Sequence, residues 1–405
     1  MRIVYFTDLF LPDGGGVTTS LLNLTDELSK KHQILIVAPK PKKGKKINFK
    51  NKKIELFLTS SAPGLVYPNF RLATPNLIKL NQKIKGFKPD IIHSHTQITL
   101  GINGIIIAKI QEIPIVATLH SPLTEKEVLK TLKLKPTKTT QKILKKYNNF
   151  YHDRCDLVFA PSSYLAKRLV QEGLKSKVVV LSNCIPSSLS TNLKKPNLKK
   201  TYPLKDFNLL FVGRLSAEKE VSTLINSITY LKNKIPGLSL LIIGTGPEQK
   251  ELKNQVKKLN FNKYIHFVGH LEYSKLLKSG LYQACDLFVS ASRCEVQPVS
   301  FLEALSFNLP IIASDASGLD ELVRGNGLLV KGDKPKDFAD AIYKYYKDSA
   351  LQQKITKNIQ KTAPKYKSEA VAKTALKYYQ EVIKKYKPNL SNVFKILKLS
   401  FFKNN

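Results

Sequence analysis

Short runs of consecutive apolar residues recur along the chain, each followed by a stretch of helical periodicity. In the first half these runs are Ile3–Thr7, Ile34–Ala38, Ile91–His93, Ile115–Leu119 and Leu157–Ala160. Near-continuous apolar runs of this length read as strands covered on both faces, as in a parallel sheet. Leu21, Leu22, Leu24 and Leu28 predict the first intervening helix, with Thr18 or Thr19 as its cap. Residues 187–206 (SSLSTNLKKPNLKKTYPLKD) lose all apolar periodicity and contain two prolines. The pattern then restarts, with strands at Leu209–Val212, Leu240–Ile243, Ile265–Val268, Leu287–Ser290 and Ile311–Ala313. Helices are expected to open at Glu218, Pro247 and Val299.

This alternation predicts an α/β protein with two doubly wound, Rossmann-like domains. We place the N-terminal domain at 1–190, a linker at 191–206 and the C-terminal domain at 207–367. The last helices, about 368–405, are expected to pack back on the first domain. Two such domains are expected to face a cleft lined by the carboxyl ends of both sheets, where this fold class binds ligands.

Composition narrows the class. The chain has 405 residues, of which 42% are hydrophobic, so it is not a disordered polymer. No apolar run reaches the roughly 18 residues that a membrane span needs. The four cysteines, Cys155, Cys184, Cys285 and Cys294, show no C-x-x-C spacing. Disulfide scaffolds and zinc ribbons are therefore disfavoured, and a reducing cytoplasm is expected. The opening residues, MRIVYFTDLFLPDGGG, read as a buried first strand and not as a signal peptide.

The net charge of +36 changes the picture more. Residues 1–200 hold 34 basic and 12 acidic residues, against 32 and 18 in the remainder. Lys-rich coding bias and a functional attraction to anionic partners are equal readings of the diffuse background, but two segments are concentrated. Residues 40–53 carry eight Lys and no acid; residues 126–146 carry Lys126, Lys130, Lys133, Lys135, Lys138, Lys142, Lys145 and Lys146 with one acid. Such clusters suit nucleic acid or an anionic membrane surface. The second cluster interleaves its Lys with Val128, Leu129, Leu132, Leu134, Ile143 and Leu144, and Pro136 is expected to split it into two short helices. Aliphatics opposite Lys suit the boundary between headgroups and acyl chains. The segment has no aromatic residue on which a base could stack, and the chain has no recognisable nucleic-acid-binding signature. An anionic membrane is thus the expected partner of this segment, and nucleic acid is not. The tail 389–405 repeats the pattern with Phe394, Leu397 and Phe401 beside Lys395 and Lys398. It either packs on the chain's own core or lies on the membrane.

Candidate chemistry gathers at the strand ends. Gly213–Lys219 follows a strand and opens a helix, whose free N–H groups and dipole favour an anion. Arg214 adds a forked donor and Lys219 a point charge, a combination suited to a diphosphate. Glu295 and Glu303 stand eight residues apart across the start of the next helix. A carboxylate accepts from two vicinal hydroxyls, so the pair suits sugar or ribose recognition, while two unrelated surface acids are the alternative. His120, just past a strand end, is placed to donate to a hydroxyl or phosphate, or else is a core histidine. His93 and His95 form H-x-H, but no third metal ligand accompanies them in the sequence, and no metal is assigned. Gly246, in Gly244–Thr245–Gly246, permits close backbone approach to a ligand.

In order from residue 1 to about 330, these segments resemble those of retaining glycosyltransferases of the GT-B fold. They are Gly15–Gly16–Val17, TLHS, VGRLSAEK, IIGTGPE, FVGHL and EVQPVSFLE with Ala304 to Pro310. The resemblance implies a metal-independent enzyme with two Rossmann-like domains. Arg214 and Lys219 look like the pair that holds the donor diphosphate. Glu295 and Glu303 look like the acids of the family's E-x7-E motif, the first toward the donor sugar and the second toward the ribose. His120 looks like the histidine beside the transferred sugar. Gly15 and Gly16 look like the loop near the phosphates and acceptor, and Val268–Gly269 like the base contact. Val296, Gln297, Pro298 and Val299 fall where the family's backbone meets the donor sugar. Within the family, the chain is most similar to membrane-surface enzymes that glucosylate diacylglycerol. The opening G-V-x-T-S-L-x-N-L, the Glu295-x-Gln297 pattern and the Lys-rich segment after TLHS carry that likeness. The resemblance thus implies UDP-glucose as donor substrate, no cofactor, a lipid acceptor, and a place on the inner face of the cell membrane. Glu220 and Pro298 stand where the family usually has Gly, and Cys184 where Gly often follows Asn183.

Overall fold

The computed structural model describes residues 1–12, 15–47, 49, 51–63, 71–124, 129, 134–189, 196–315 and 318–388. The chain packs as two units: Met1–Asn183 with Ser368–Asn405, and Cys184–Lys367.

The first unit is built on a parallel sheet of seven strands. In chain order these are β1 (Arg2–Phe6), β2 (Gln33–Pro39), β3 (Ile54–Thr59), β6 (Ile91–Ser94), β7 (Ile115–Thr118), β8 (Leu157–Ala160) and β9 (Val178–Val180). A separate antiparallel pair, β4 (Ser61–Pro63) and β5 (Arg71–Ala73), lies between β3 and β6 in sequence. The sheet order is β3-β2-β1-β6-β7-β8-β9, so the winding direction reverses between β1 and β6. Side chains of β1, β6, β7 and β8 are almost wholly buried, because helices cover both faces.

The second unit repeats the plan. It holds β10 (Phe207–Val212), β11 (Leu238–Ile243), β12 (Ile265–Gly269), β13 (Leu287–Ser290), β14 (Ile311–Ser314) and β15 (Gly327–Val330). Their order is β12-β11-β10-β13-β14-β15, with the reversal between β10 and β13. In such sheets the crevice beyond the carboxyl ends of the strands at the reversal is the ligand position. Both reversals therefore mark where chemistry belongs before any side chain is considered.

Several sequence expectations need correction. The first helix runs from Gly15 to Leu28, so neither Thr18 nor Thr19 caps it. Thr18 lies within the helix, and its hydroxyl donates to the Leu9 carbonyl at 3.0 Å. Gly15 and Gly16 thus open the helix instead of forming a loop before it. The described part of the expected linker, residues 196–206, belongs to the second unit, where Leu198, Tyr202 and Leu204 pack against its core. No helix opens at Glu218. A single 3-10 turn, Ala217–Lys219, precedes the helix Val221–Leu231. Glu220 stands between them at φ 48, ψ 39, a left-handed conformation that no right-handed helix can run through. That conformation also accounts for Gly at this position in the family the chain resembles.

The helix Ser368–Lys385 belongs to the first unit and packs along Gly15–Leu28. Its Tyr379 is fully buried and meets the Tyr5 hydroxyl at 3.0 Å. None of the four cysteines is in a disulfide. No described helix is long and apolar enough to cross a membrane.

Candidate functional site

In the second unit, the loop after β10 carries Arg214 and Lys219, and the loop after β13 carries Glu295. These are the two strands at the reversal. The loops are stitched together by backbone: the Arg293 amide donates to the Glu218 carbonyl at 3.2 Å, and so does the Ser292 hydroxyl, also at 3.2 Å. The Lys219 ammonium donates to Glu295 Oε1 at 2.5 Å, with both side chains largely sheltered from solvent. Burial works against the Lys219 charge, but adjacent Glu295 outweighs it, and the ammonium pKa is raised. Arg214 is exposed on the same loop.

Glu303 sits on the helix Val299–Ser306, with Pro298 at its extended N-cap. It is only 4% exposed, and its carboxylate accepts from the Tyr282 hydroxyl. Burial pushes its carboxyl up to about 7, with Tyr282 pulling the other way. Tyr282 is itself held by stacking on Phe307, centroids 5.2 Å apart. Gln297 and Val299 are buried beside the acid loop, and Val296 is half-buried.

The glycine loop after β11 runs against the Arg214 loop. Gly213 N donates to Ile243 O and Leu215 N to Thr245 O, each at 3.0 Å. A Cβ on Gly246 would lie 2.1 Å from the Leu215 carbonyl oxygen. Close approach at Gly246 is thus made to the neighbouring loop, and this contact alone requires the glycine. Val268 and Gly269 end β12, and the Gly269 carbonyl accepts from Gly244 N at 2.8 Å.

In the first unit, His120 lies just past β7. Its Nε2 is 3.0 Å from Nδ1 of His95, and its side chain is also bonded to Asn183. Burial pushes His120 down to about 4, with Asn183 opposing. The fold therefore brings a third histidine to the H-x-H pair, which the sequence spacing did not reveal. His93 nevertheless has both ring nitrogens engaged, by Tyr379 Oη at 2.6 Å and Thr118 Oγ1 at 2.7 Å. Among the described residues no group of three or more His, Cys, Asp or Glu could hold a metal ion.

Asp8, at the carboxyl end of β1, was not singled out by sequence. It is 2% exposed and accepts from Thr96 Oγ1 at 2.7 Å, Thr99 Oγ1 at 2.5 Å and Leu100 N at 3.0 Å. The helix Thr99–Ile110 has Ile98 at its N-cap, with no side-chain cap bond of its own. Asp8 supplies the missing cap from across the reversal point. Asp8→Asn replaces one acceptor with a donor facing donors. We expect the amides of this helix to exchange about 30-fold faster, or about 2 kcal/mol. Unchanged protection would show that Asp8 is not the cap.

Of the Lys-rich segment, Lys126, Lys130 and Lys133 lie outside the described residues, as does the tail 389–405. Beyond Pro136 a helix does form, Lys138–His152, capped by Thr137 Oγ1, which accepts from Thr140 N. Its Asn148, Tyr151 and His152 face the core. Lys138, Lys142, Ile143, Lys146 and Phe150 are exposed, and Leu134 and Lys135 lie exposed before it, while Lys145 is half-buried. Arg154 stacks its guanidinium 3.5 Å above the Phe150 ring.

Two family models match the chain: Glycosyltransferase Family 4 over residues 14–189 and Glycosyl transferases group 1 over residues 194–362. Alpha-monoglucosyldiacylglycerol synthase of Acholeplasma laidlawii is 26% identical, over 96% of this chain and all of the relative. The protein of the same name from Streptococcus pneumoniae is 28% identical, over 84% of this chain and 77% of the relative. Among solved structures, Anabaena Alr3699/HepE in complex with UDP-glucose superposes with a TM-score of 0.71 at 20% identity. That match covers 94% of this chain and 100% of the Anabaena chain.

Proposed function

The chain belongs to the GT-B glycosyltransferases, and on that premise we propose that it moves glucose from UDP-glucose to a membrane lipid such as 1,2-diacylglycerol, with retention at the anomeric carbon. The assembly of Arg214, Lys219, Glu295 and Glu303 at the β10/β13 reversal carries this reading. The names of the two synthases, alpha-monoglucosyldiacylglycerol synthases, support the choice of sugar and acceptor.

Transfer breaks the bond between the anomeric carbon and the diphosphate, and charge develops on the leaving oxygen. Arg214 and Lys219 stabilise that charge from a preorganised loop, so no metal is expected to be needed. The acceptor hydroxyl attacks from the same face, and the leaving phosphate takes its proton. Glu295 orients the donor sugar and Glu303 the ribose, with no covalent role for either. His120 donates to the transferred sugar, and Gly15–Gly16 lie toward phosphate and acceptor. Val268–Gly269 meet the base, and Val296 to Val299 border the sugar.

An insoluble acceptor requires the enzyme to work at the bilayer, peripherally and on the cytoplasmic face. The exposed face of Lys138–His152 suits this, with Ile143 and Phe150 among Lys138, Lys142 and Lys146. Near an anionic surface each Lys contributes about 1 kcal/mol. The double variant Lys142→Gln/Lys146→Gln should therefore bind phosphatidylglycerol vesicles about 30-fold more weakly. Equally tight binding to neutral vesicles in sedimentation would contradict the electrostatic part.

The deciding experiment is transfer of labelled glucose from UDP-glucose to diacylglycerol in mixed micelles, with and without an anionic lipid. Labelled monoglucosyl lipid supports the reading. Hydrolysis without transfer keeps the donor and refutes the acceptor. Neither product refutes the donor, and Pro298, in place of the usual Gly, is then the first residue to examine.

A further inference from the structure

We propose that His95 is a positioning residue for His120, holding it in one orientation and one tautomer. This rests on the reading of His120 beside the transferred sugar.

His95 follows β6 directly, and its amide donates to the Phe6 carbonyl at 2.8 Å, which fixes its backbone. Its ring lies against His93, with centroids 4.3 Å apart, and against Tyr5 at 5.6 Å. His93 cannot turn aside, because Tyr379 and Thr118 hold both its nitrogens. The His95 ring is therefore packed against a fixed neighbour, and its Nδ1 meets His120 Nε2 at 3.0 Å. Its other nitrogen, Nε2, is sealed from solvent with no hydrogen-bond partner among the described residues.

Burial keeps both imidazoles neutral, so each ring carries one proton. Two nitrogens at 3.0 Å can bond only if one of them bears its ring's proton. If His120 donated, the His95 proton would sit on Nε2, a buried N–H with nothing to receive it. If His95 donates from Nδ1, Nε2 is left as a bare lone pair. Orphaned buried N–H groups are the rarer outcome. The second arrangement places the His120 proton on Nδ1 and makes Nε2 an acceptor. His120 then has a single donor, its Nδ1–H, on a ring that Asn183 also holds, and its tautomer is set by a residue that need not touch substrate. The same logic, in which one nitrogen's partner fixes the role of the other, governs histidines at metal and acid–base sites.

The test begins with the unmodified full chain. Long-range 1H–15N spectra of the histidine rings, assigned with His95→Asn and His120→Asn, should show His95 and His120 both protonated on Nδ1. A His120 proton on Nε2 in the unmodified chain overturns the proposal. Turnover then separates positioning from packing. The Asn amide nitrogen falls near Nδ1 of the replaced imidazole, whereas that of Gln falls near Nε2. His95→Asn should keep kcat within about fivefold, while His95→Gln and His95→Phe lower it about 30-fold, with the KM for UDP-glucose within threefold. A purely structural role predicts that the smaller Asn is the worst of the three, and that order overturns the proposal. If His120→Asn leaves kcat unchanged while the spectra are as expected, the sugar-side reading of His120 fails and the pairing stands.

Discussion

Lys219→Ala lowers kcat for glucose transfer by about 10²–10³-fold, the range seen when one preorganised donor is removed from a developing anion. The size follows from where the ammonium sits. The 3-10 turn that carries it is tied to the loop after β13 by two bonds to the Glu218 carbonyl, so Lys219 has no search to perform. Glu295 keeps it protonated despite burial and holds it at 2.5 Å. Truncation does more than delete a positive charge. It leaves the Glu295 carboxylate uncompensated beside the donor phosphates, where like charges repel. Lys219→Ala should therefore raise the KM for UDP-glucose as well. Adding Glu295→Gln to Lys219→Ala should recover part of that KM loss while leaving kcat low. Arg214→Ala should lower kcat by a similar factor. The diphosphate assignment is wrong if Arg214→Ala and Lys219→Ala both leave turnover unchanged.

Affinity for UDP increases about tenfold between pH 6 and pH 8, through Glu303. Two vicinal ribose hydroxyls donate to the two oxygens of a carboxylate, whereas protonation turns one of those oxygens into a donor and weakens the other as an acceptor. Glu303 is buried, and its carboxyl is pushed up to about 7. Below that pH the protonated form dominates, and binding must expel a proton; above it the site is ready. Glu303→Gln cannot titrate, so its affinity should be low and flat across the range, which calorimetry would read directly. Stability runs the other way. The folded pKa lies above the ordinary carboxyl value of 4.5, so the folded state binds the proton more tightly than the unfolded chain. The resulting stabilisation is full below about pH 4.5 and is lost as pH rises through about 7. Its extent is on the order of 3 kcal/mol. Glu303→Gln should abolish this slope in thermal unfolding. Parallel pH trends for stability and affinity would contradict the assignment.

The parts of the fold that could be read along the chain were those whose signal is local. Strands β1, β6, β7, β8, β10, β11 and β13 are mostly apolar and almost wholly buried because both of their faces are covered. The outer strands β9 and β15 escaped notice, and so did β3: Val178–Val180 is three residues long and partly exposed, and Ile54–Thr59 contains Glu55 at an exposed position. Glu220 broke the expected helix because nothing in its side chain announces a left-handed backbone. Among the candidate site residues, Arg214, Lys219, Glu295 and Glu303 stand out in the sequence by their places beside strand ends and helix starts. What joins them was not legible, since Lys219 and Glu295 are 76 residues apart in sequence. Asp8 reads as an ordinary polar residue after a strand until Thr96, Thr99 and Leu100 are seen around it. His95 and His120 meet only because β6 and β7 are neighbours.

The return of the C-terminal helix to the first unit has a consequence for how the protein is made. The second unit is one uninterrupted stretch, Cys184–Lys367, whereas the first is assembled from both ends of the chain. Tyr379, which occupies the core beside Tyr5 and holds His93, follows the whole of the second unit in sequence. A nascent chain that has exposed its first 183 residues still lacks this tyrosine and the helix that covers Gly15–Leu28. The half synthesised first is thus the half completed last. Until Tyr379 has been synthesised, its pocket stays open, and the His93–His95–His120 row lacks the hydroxyl that fixes its first member.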